Sequence, residues 1–173
     1  MATAVVETPV GSLLIQTSAR GISRIAFADT GRGAPAPPAP EDGVGGQAVL
    51  DLARRQLEEY FAGQRHSFDL PLDLAGTDFQ RRVWQAIAAI PFGETASYAS
   101  IAATAGVPNA YRAAGAACGA NPVVIVVPCH RVIGSDGGLH GFGGGLDTKV
   151  WLLRHEGVRS RAQSQRDLAL TSA

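Results

Sequence analysis

The segment Val127-Pro128-Cys129-His130-Arg131-Val132 decides how the rest of the chain is interpreted. It follows an apolar run, residues 123–127, that predicts a buried strand, and it leads into a glycine-rich segment, residues 134–145. A cysteine at a strand end, beside a histidine that supplies a base or a positive charge, favours a reactive thiolate. Because a single cysteine is more often a buried packing group, the Cys129-His130 pair alone argues only modestly for catalysis.

Helix signals lie on both sides of this segment. Upstream, Thr77-Asp78-Phe79-Gln80 has the form of a capping box and opens an apolar stripe that continues to Ile90. Two helices, residues 97–105 and residues 110–118 with Asn109 as cap, are joined by a glycine and proline turn and predict a helix-turn-helix. Arg112 lies in the first turn of the second helix, where the helix dipole disfavours a cation. Downstream, a helix over residues 147–155 precedes Glu156.

The first half of the chain predicts a small α/β domain. Short apolar segments separated by turn signals indicate an antiparallel meander, and a helix is expected over residues 47–62. Between them, the Gly, Pro and Ala composition of residues 29–46 predicts a long mobile loop. The alternating run 68–74 contains Pro71 and predicts an extended connector or an edge strand. We therefore expect domains at residues 1–75 and 76–157, followed by a polar tail at 158–173 that frays.

Composition limits the classes of function. The 173 residues carry 15 basic and 15 acidic side chains, so no bulk field attracts nucleic acid or anionic lipid. No membrane-spanning run and no secretory leader are expected, which predicts a soluble, cytoplasmic protein with no membrane partner. The two cysteines, Cys118 and Cys129, exclude a disulfide scaffold and a four-cysteine zinc site. We expect neither a metal nor a cofactor.

Together these motifs resemble the O6-alkylguanine-DNA alkyltransferases, also called methylated-DNA–protein-cysteine methyltransferases. The resemblance covers residues 76–157 with family-like spacing, whereas the first 75 residues match only in layout. The residues that carry it are Gly76-Thr77-Asp78-Phe79-Gln80, Val83-Trp84, Ile90-Pro91-Phe92-Gly93, Ser97-Tyr98, Arg112, Asn121-Pro122, Val127-Pro128-Cys129-His130-Arg131-Val132, Gly144-Gly145-Leu146, Lys149, Leu152-Leu153 and Glu156-Gly157.

The resemblance implies a fold, a partner and a reaction. The fold would be an N-terminal ribonuclease-H-like α/β domain followed by a C-terminal winged-helix-like domain. A monomer would bind double-stranded DNA through the minor groove and hold an alkylated guanine flipped out of the stack. The alkyl group of O6-alkylguanine, and of O4-alkylthymine, would move to Cys129 as an irreversible thioether, once per molecule. Such a protein would be nucleoid-associated in a prokaryote and nuclear in a eukaryote.

The resemblance also implies residue roles. Cys129 would accept the alkyl group, His130 would take the thiol proton through a water, and Glu156 would orient His130. Asn121 would support the active-site turn, and Tyr98 would donate toward the leaving guanine. Arg112 would fill the stack in place of the extruded nucleotide, which explains a cation at a poor helix position. The further DNA- or substrate-contacting residues would be Tyr111, Ala113, Ala114, Val132, Phe142, Gly143 and Gly144.

Several residues depart from the family pattern, and two other functions remain open. Phe142 stands where many members carry Tyr, and Gly143 replaces a frequent small polar residue. His140 has no assigned role, and Cys118 is interpreted as a packing group. An alkyltransferase-like protein would bind damage without repairing it, but such proteins replace the nucleophile that Cys129 supplies here. A Cys/His hydrolase would leave the helix-turn-helix unexplained, and the sequence shows no dedicated oxyanion hole.

Overall fold

The computed structural model describes residues 1–28 and 44–158. Residues 44–46 of the predicted loop 29–46 belong to the first helix. The rest of that loop, and all but the first residue of the tail predicted at 158–173, lie outside the described residues. Within the described part of the chain, no helix is both long and apolar enough to cross a bilayer.

The N-terminal strands form the antiparallel meander that the sequence predicts. They are β1 (Thr3–Thr8), β2 (Gly11–Thr17) and β3 (Ile22–Phe27), paired in that order. Gly11 pairs with Thr8 at the end of the first hairpin, and its φ of 108° is a conformation that other residues rarely adopt. Leu13, Ile15 and Ile25 are fully buried and supply the core face of the sheet.

Two later parts of the chain form isolated β-bridges with the outer edge of β3. Ile22 forms a single bridge with Leu72, and its N–H donates to the carbonyl of Pro71 at 2.8 Å. The connector predicted over residues 68–74 therefore lies along the sheet edge. A second bridge joins Ile25 to Val123, so the chain just ahead of the cysteine is attached to the N-terminal sheet.

One long helix, α1 (Val44–Phe61), packs on this sheet. It begins three residues before the predicted position and ends one residue earlier than predicted. Its inward stripe contains Leu50, Ala53, Leu57 and Tyr60, all essentially buried. This stripe belongs to one continuous hydrophobic core that also includes residues of the C-terminal half, so the two halves share their packing.

The C-terminal half contains the predicted helix-turn-helix. The helices are α2 (Asp78–Ala88), α3 (Tyr98–Thr104) and α4 (Tyr111–Gly119). The predicted capping box of α2 is present, because the Thr77 hydroxyl accepts from Gln80 N and the Gln80 side chain accepts from Thr77 N. Trp84 on α2 donates its indole N–H to the Ala117 carbonyl at 2.8 Å and so fixes α4. The predicted cap by Asn109 is wrong, since Ala110 precedes α4 without a side-chain cap.

The apolar run at residues 123–127 is buried but is not a strand, which corrects the prediction. It folds back on itself, with Val127 N donating to Val123 O at 3.0 Å and with Ile125 at a φ of 73°. The run forms only isolated bridges rather than a ladder. A short apolar run has no period that distinguishes a buried strand from a buried turn, which is why the sequence misled here.

Short elements complete the site region. The two-residue strands β4 (Ala96–Ser97) and β5 (Val132–Ile133) pair in parallel, and a 3-10 turn covers Cys129–Arg131. The last helix, α5 (Leu146–His155), ends immediately before Glu156. The chain thus brings the Cys129 turn, the start of α3 and the end of α5 together.

Candidate active site

The turn ahead of Cys129 is held by one amide side chain. Asn121 Nδ2 donates to Val127 O at 2.7 Å, and Asn121 Oδ1 accepts from Val123 N at 3.0 Å. Both ends of the reversal are therefore tied to the same side chain, while Ile125 keeps a left-handed conformation that is unusual for a β-branched residue. An amide suits this position because it both donates and accepts.

His130 and Glu156 form a buried pair beside the cysteine. His130 Nε2 lies 2.7 Å from Glu156 Oε1, and both side chains are inaccessible to solvent. Burial alone would raise the pKa of Glu156, but the hydrogen bonds from His130 and Arg131 lower it to about 2, so the carboxylate stays charged. A charged carboxylate only accepts, so the proton of neutral His130 is assigned to Nε2.

The second ring nitrogen of His130 is a free proton acceptor. Burial lowers the pKa of His130, so the imidazole is neutral at physiological pH. When the proton is on Nε2, the Nδ1 atom of His130 carries a lone pair. This atom has no hydrogen-bond partner among residues 1–28 and 44–158. A buried lone pair of this kind is the group that a general base requires.

Two residues of this network were not predicted as part of the site. Arg131 donates from Nε to Glu156 Oε2 at 2.8 Å and from Nη2 to Oε1 at 2.9 Å, and its Nη1 donates to Ile90 O at 2.6 Å. Tyr60, on α1, donates its hydroxyl to Glu156 Oε1 at 2.8 Å. Arg131 is part of the motif that carries the resemblance, but nothing in the sequence connects Tyr60 to a glutamate 96 positions away.

The Cys129 thiol lies among groups that stabilise its anion. The pKa of Cys129 is lowered, and the largest effect is the hydrogen bond from the Cys118 thiol. The amide of Asn121 and the positive charge of Lys149 act in the same direction. Burial raises the Cys129 pKa, but less than these partners lower it. Cys118 Sγ also lies 3.9 Å from the Cys129 carbonyl oxygen, so the buried side chain of Cys118 packs directly against the Cys129 turn.

Lys149 is a buried cation that ties the glycine-rich loop to the site. Its Nζ donates to Val132 O at 2.6 Å and to His140 O at 3.0 Å, and it lies 6.0 Å from the centroid of the Tyr98 ring. Burial lowers the pKa of Lys149, and the nearby thiols oppose that shift. The backbone of His140, rather than its exposed ring, thereby gains a role in holding the loop.

Aromatic rings and small residues form the walls around the cysteine. Tyr98 is half-buried, and burial followed by the two thiols raises the pKa of Tyr98 to about 12, so its phenol remains a donor. Phe142 lies 6.4 Å from the His130 ring and 5.8 Å from Phe27 of β3, measured between centroids. A Cβ at Gly144 would come within 2.7 Å of Phe27, whereas one at Gly143 would meet nothing within 4 Å.

The α4 helix presents a surface of small residues with one long cation. Tyr111, Arg112 and Ala113 are exposed, and the Arg112 guanidinium lies 5.9 Å from the Tyr111 ring centroid. Ala114 is fully buried, so its side chain faces the core and lies outside this exposed surface. Gly115 faces Tyr98, and a Cβ there would lie 3.7 Å from that ring, an ordinary van der Waals contact.

Cys129 is almost closed off from solvent in this structure. Cys129 retains 6% exposure, and a cavity of about 370 Å³ lies on the neighbouring surface without Cys129 in its lining. That cavity is lined by Thr95, Ala96, Ser97, Ile133, Gly134, Ser135, Asp136, Gly137, Leu139, Leu153 and Val158. Cys129 therefore offers little accessible surface to a ligand in this structure. Among the described residues, no cluster of His, Cys, Asp and Glu has the composition of a metal site.

Comparison with known proteins places both halves of the chain. Residues 1–74 match the family model of the 6-O-methylguanine DNA methyltransferase ribonuclease-like domain, and residues 78–158 match the model of its DNA-binding domain. A methylated-DNA–protein-cysteine methyltransferase of Methanosarcina barkeri is 45% identical over 152 residues, which are 88% of this chain and 94% of that protein. One of Mycolicibacterium paratuberculosis is 57% identical over 110 residues, 64% of this chain and 67% of that protein.

A solved structure agrees with this assignment. The crystal structure of Mycobacterium tuberculosis OGT in complex with DNA aligns with a TM-score of 0.77 and 42% identity, covering 88% of this chain and 90% of that one. The ribonuclease-like and helix-turn-helix architecture predicted from the sequence is thereby confirmed. Since two family models match nearly all the described residues in the expected order, the chain belongs to the 6-O-methylguanine DNA methyltransferase family.

Proposed function

We propose that this protein repairs DNA by direct reversal, transferring the alkyl group of O6-alkylguanine to Cys129 in a single irreversible event. The observation that carries the proposal is the buried set Cys129, His130 and Glu156: the Cys129 thiol has a lowered pKa, and His130, the next residue, hydrogen-bonds Glu156 through Nε2 and keeps Nδ1 without a partner among the described residues. The curated relatives are named for this activity, and an alkyltransferase-like protein would not retain the thiol.

The groups support a displacement at carbon. The Cys129 thiol gives its proton to His130 Nδ1 through a bridging water, and Glu156 stabilises the imidazolium that forms. The thiolate then attacks the alkyl carbon, so that an S–C bond forms as the C–O6 bond breaks. Tyr98 donates a proton to the departing base, which leaves as neutral guanine, and the proton held by the His130 imidazolium then returns to the Tyr98 oxygen. In the net exchange, the thiol proton replaces the alkyl group, and the thioether is stable to water.

DNA binding is proposed through α4 in the minor groove of a duplex, by a monomer. Segment 77–157 has six basic and five acidic residues, so affinity depends on locally placed contacts and is modest and salt-dependent. Tyr111, Arg112 and Ala113 supply the exposed surface, and Arg112 enters the stack where the damaged guanine leaves it. Val132, Phe142, Gly143 and Gly144 border the base beside Cys129, and Asn121 keeps the turn in place.

Transfer is tested by intact-protein mass spectrometry. After incubation with duplex DNA containing O6-methylguanine under reducing conditions, we expect a mass increase of one methylene per chain, located at Cys129 by peptide mapping. The lesion should disappear in equal molar amount, and a second addition of DNA should give no further repair. An unmodified protein beside an intact lesion would reject the proposal.

The Arg112→Ala variant tests base extrusion. We expect repair of duplex DNA to slow about 10- to 100-fold, equivalent to the few kcal/mol of unstacking that an inserted side chain offsets. Reaction with free O6-methylguanine base should stay within about twofold of wild type, because no stack has to be opened. The control is Arg55→Ala, which removes an exposed cation of α1, and it should change neither rate. Equal slowing on both substrates would contradict the inserted-arginine role.

A further inference from the structure

Tyr60 connects the N-terminal half directly to the carboxylate of the active site. It is fully buried near the end of α1, and its hydroxyl lies 2.8 Å from Glu156 Oε1. The same oxygen accepts from His130 Nε2 at 2.7 Å and from Arg131 Nη2 at 2.9 Å. Oε1 therefore has three donors, and one of them comes from the ribonuclease-like half.

The tyrosine is held in place from several directions. Its ring packs against Phe61, Phe92 and His155, with centroid separations of 5.2, 6.4 and 5.1 Å. Its backbone carbonyl lies 2.7 Å from His155 Nε2, so the end of α1 contacts both Glu156 and the residue before it. Packing alone would be served by phenylalanine, and an unpaired buried hydroxyl would be costly. The hydroxyl is tolerated because it has the carboxylate as its acceptor.

We propose that Tyr60 is a positioning residue for alkyl transfer: its hydroxyl fixes Glu156 against His130, so the N-terminal half completes the proton relay. This inference rests on the transferase function proposed above and assigns it a residue outside the DNA-binding half. Tyr60 does not touch the sulfur or the base, and it acts through Glu156. Burial and the adjacent carboxylate raise the pKa of Tyr60, so it remains a neutral donor throughout the working range.

The hydroxyl also moderates the basicity of His130. Glu156 faces three residues: Tyr60, which belongs to α1, and His130 and Arg131, which belong to the 3-10 turn. Burial is the main cause of the lowered pKa of His130, and the positive charge of Lys149, on α5, lowers it further. A donor on Oε1 withdraws electron density that would otherwise stabilise the imidazolium. Removing that donor should therefore raise the pKa of His130. Because His130 must be neutral to accept the thiol proton, the acid limb of the rate profile should then move to higher pH.

The experiment compares Tyr60→Phe with Phe61→Leu in the full chain. For Tyr60→Phe we expect the acid limb of methyl transfer to rise by at least about half a pH unit, with a rate near neutrality about 10-fold lower. Phe61→Leu perturbs the neighbouring ring without touching Glu156, so it should lower the urea midpoint and leave the acid limb in place. A folded Tyr60→Phe protein with the wild-type profile, or equal shifts in both variants, would overturn the proposal.

Two measurements by NMR are independent of transfer activity. Titration of the His130 imidazole without DNA should show a higher pKa in Tyr60→Phe than in wild type. In the wild-type protein, the Tyr60 hydroxyl proton should exchange slowly and show a nuclear Overhauser effect to the His130 Nε2 proton. Absence of both signatures would reject the role of Tyr60 whether or not the protein transfers methyl groups. Their presence without methyl transfer would instead reject only the proposed function.

Discussion

Cys129→Ala is expected to abolish methyl transfer completely while leaving DNA binding intact. The Cys129 thiol, at the start of the 3-10 turn, is the only group proposed to form the S–C bond. The change removes a single side-chain atom, Sγ, and introduces no polar or bulky group, so the fold should persist. Mass spectrometry should show no adduct, and a salt-dependent mobility shift with lesion-containing duplex should match that of wild type.

The second thiol of the chain supplies the matched control. Cys118→Ala should still take up one methyl group per chain, because Cys118 is not the acceptor. Its thiol lowers the pKa of Cys129, so its loss should raise that pKa and move the rate profile to higher pH. An adduct that persists in Cys129→Ala and disappears in Cys118→Ala would exchange the roles of the two cysteines and refute the assignment.

Glu156→Gln should produce the largest loss of stability. Glu156 accepts from Tyr60, His130 and Arg131, all of them buried, and Gln would present an NH₂ group to one of these donors. Breaking a buried ion pair from one side leaves an uncompensated charge, here on Arg131, at a cost of about 3–5 kcal/mol. Urea unfolding should report this loss, and transfer by the folded fraction should fall about 100-fold or more, since His130 loses its orienting partner.

An exposed glutamate supplies the control for Glu156→Gln. Glu94→Gln alters an exposed carboxylate and should change the free energy of unfolding by no more than about 0.5 kcal/mol. Because the pKa of Glu156 is lowered to about 2, its stabilisation is present at neutral pH and is lost as the pH falls from about 4 toward 2. Glu156→Gln should lack that portion of the acid transition. An unchanged transition would contradict the buried charge network.

Local signals in the sequence were sufficient for most elements. The capping box of Thr77 and Gln80, the helix-turn-helix and the meander depend on neighbours in the chain, and all three are confirmed. The errors occurred where local preference was ambiguous. Residues 123–127 are apolar enough for a strand but form a turn held by Asn121, and Asn109 has the chemistry of a cap without the position of one.

The sequence by itself determined the family of this protein and the acceptor proposed for it, because Cys129, His130 and Glu156 lie in motifs whose order and spacing are specific. Only the tertiary structure decided how that site is supported. Three contacts join residues from distant parts of the chain: the hydrogen bond from the Tyr60 hydroxyl to Glu156, the hydrogen bonds from the Arg131 guanidinium to Glu156, and the contact between Phe27 and the loop around Gly144. Such contacts are set by how α1 and the sheet pack on the C-terminal half, and packing of this kind leaves no periodic signal in the residues that make it.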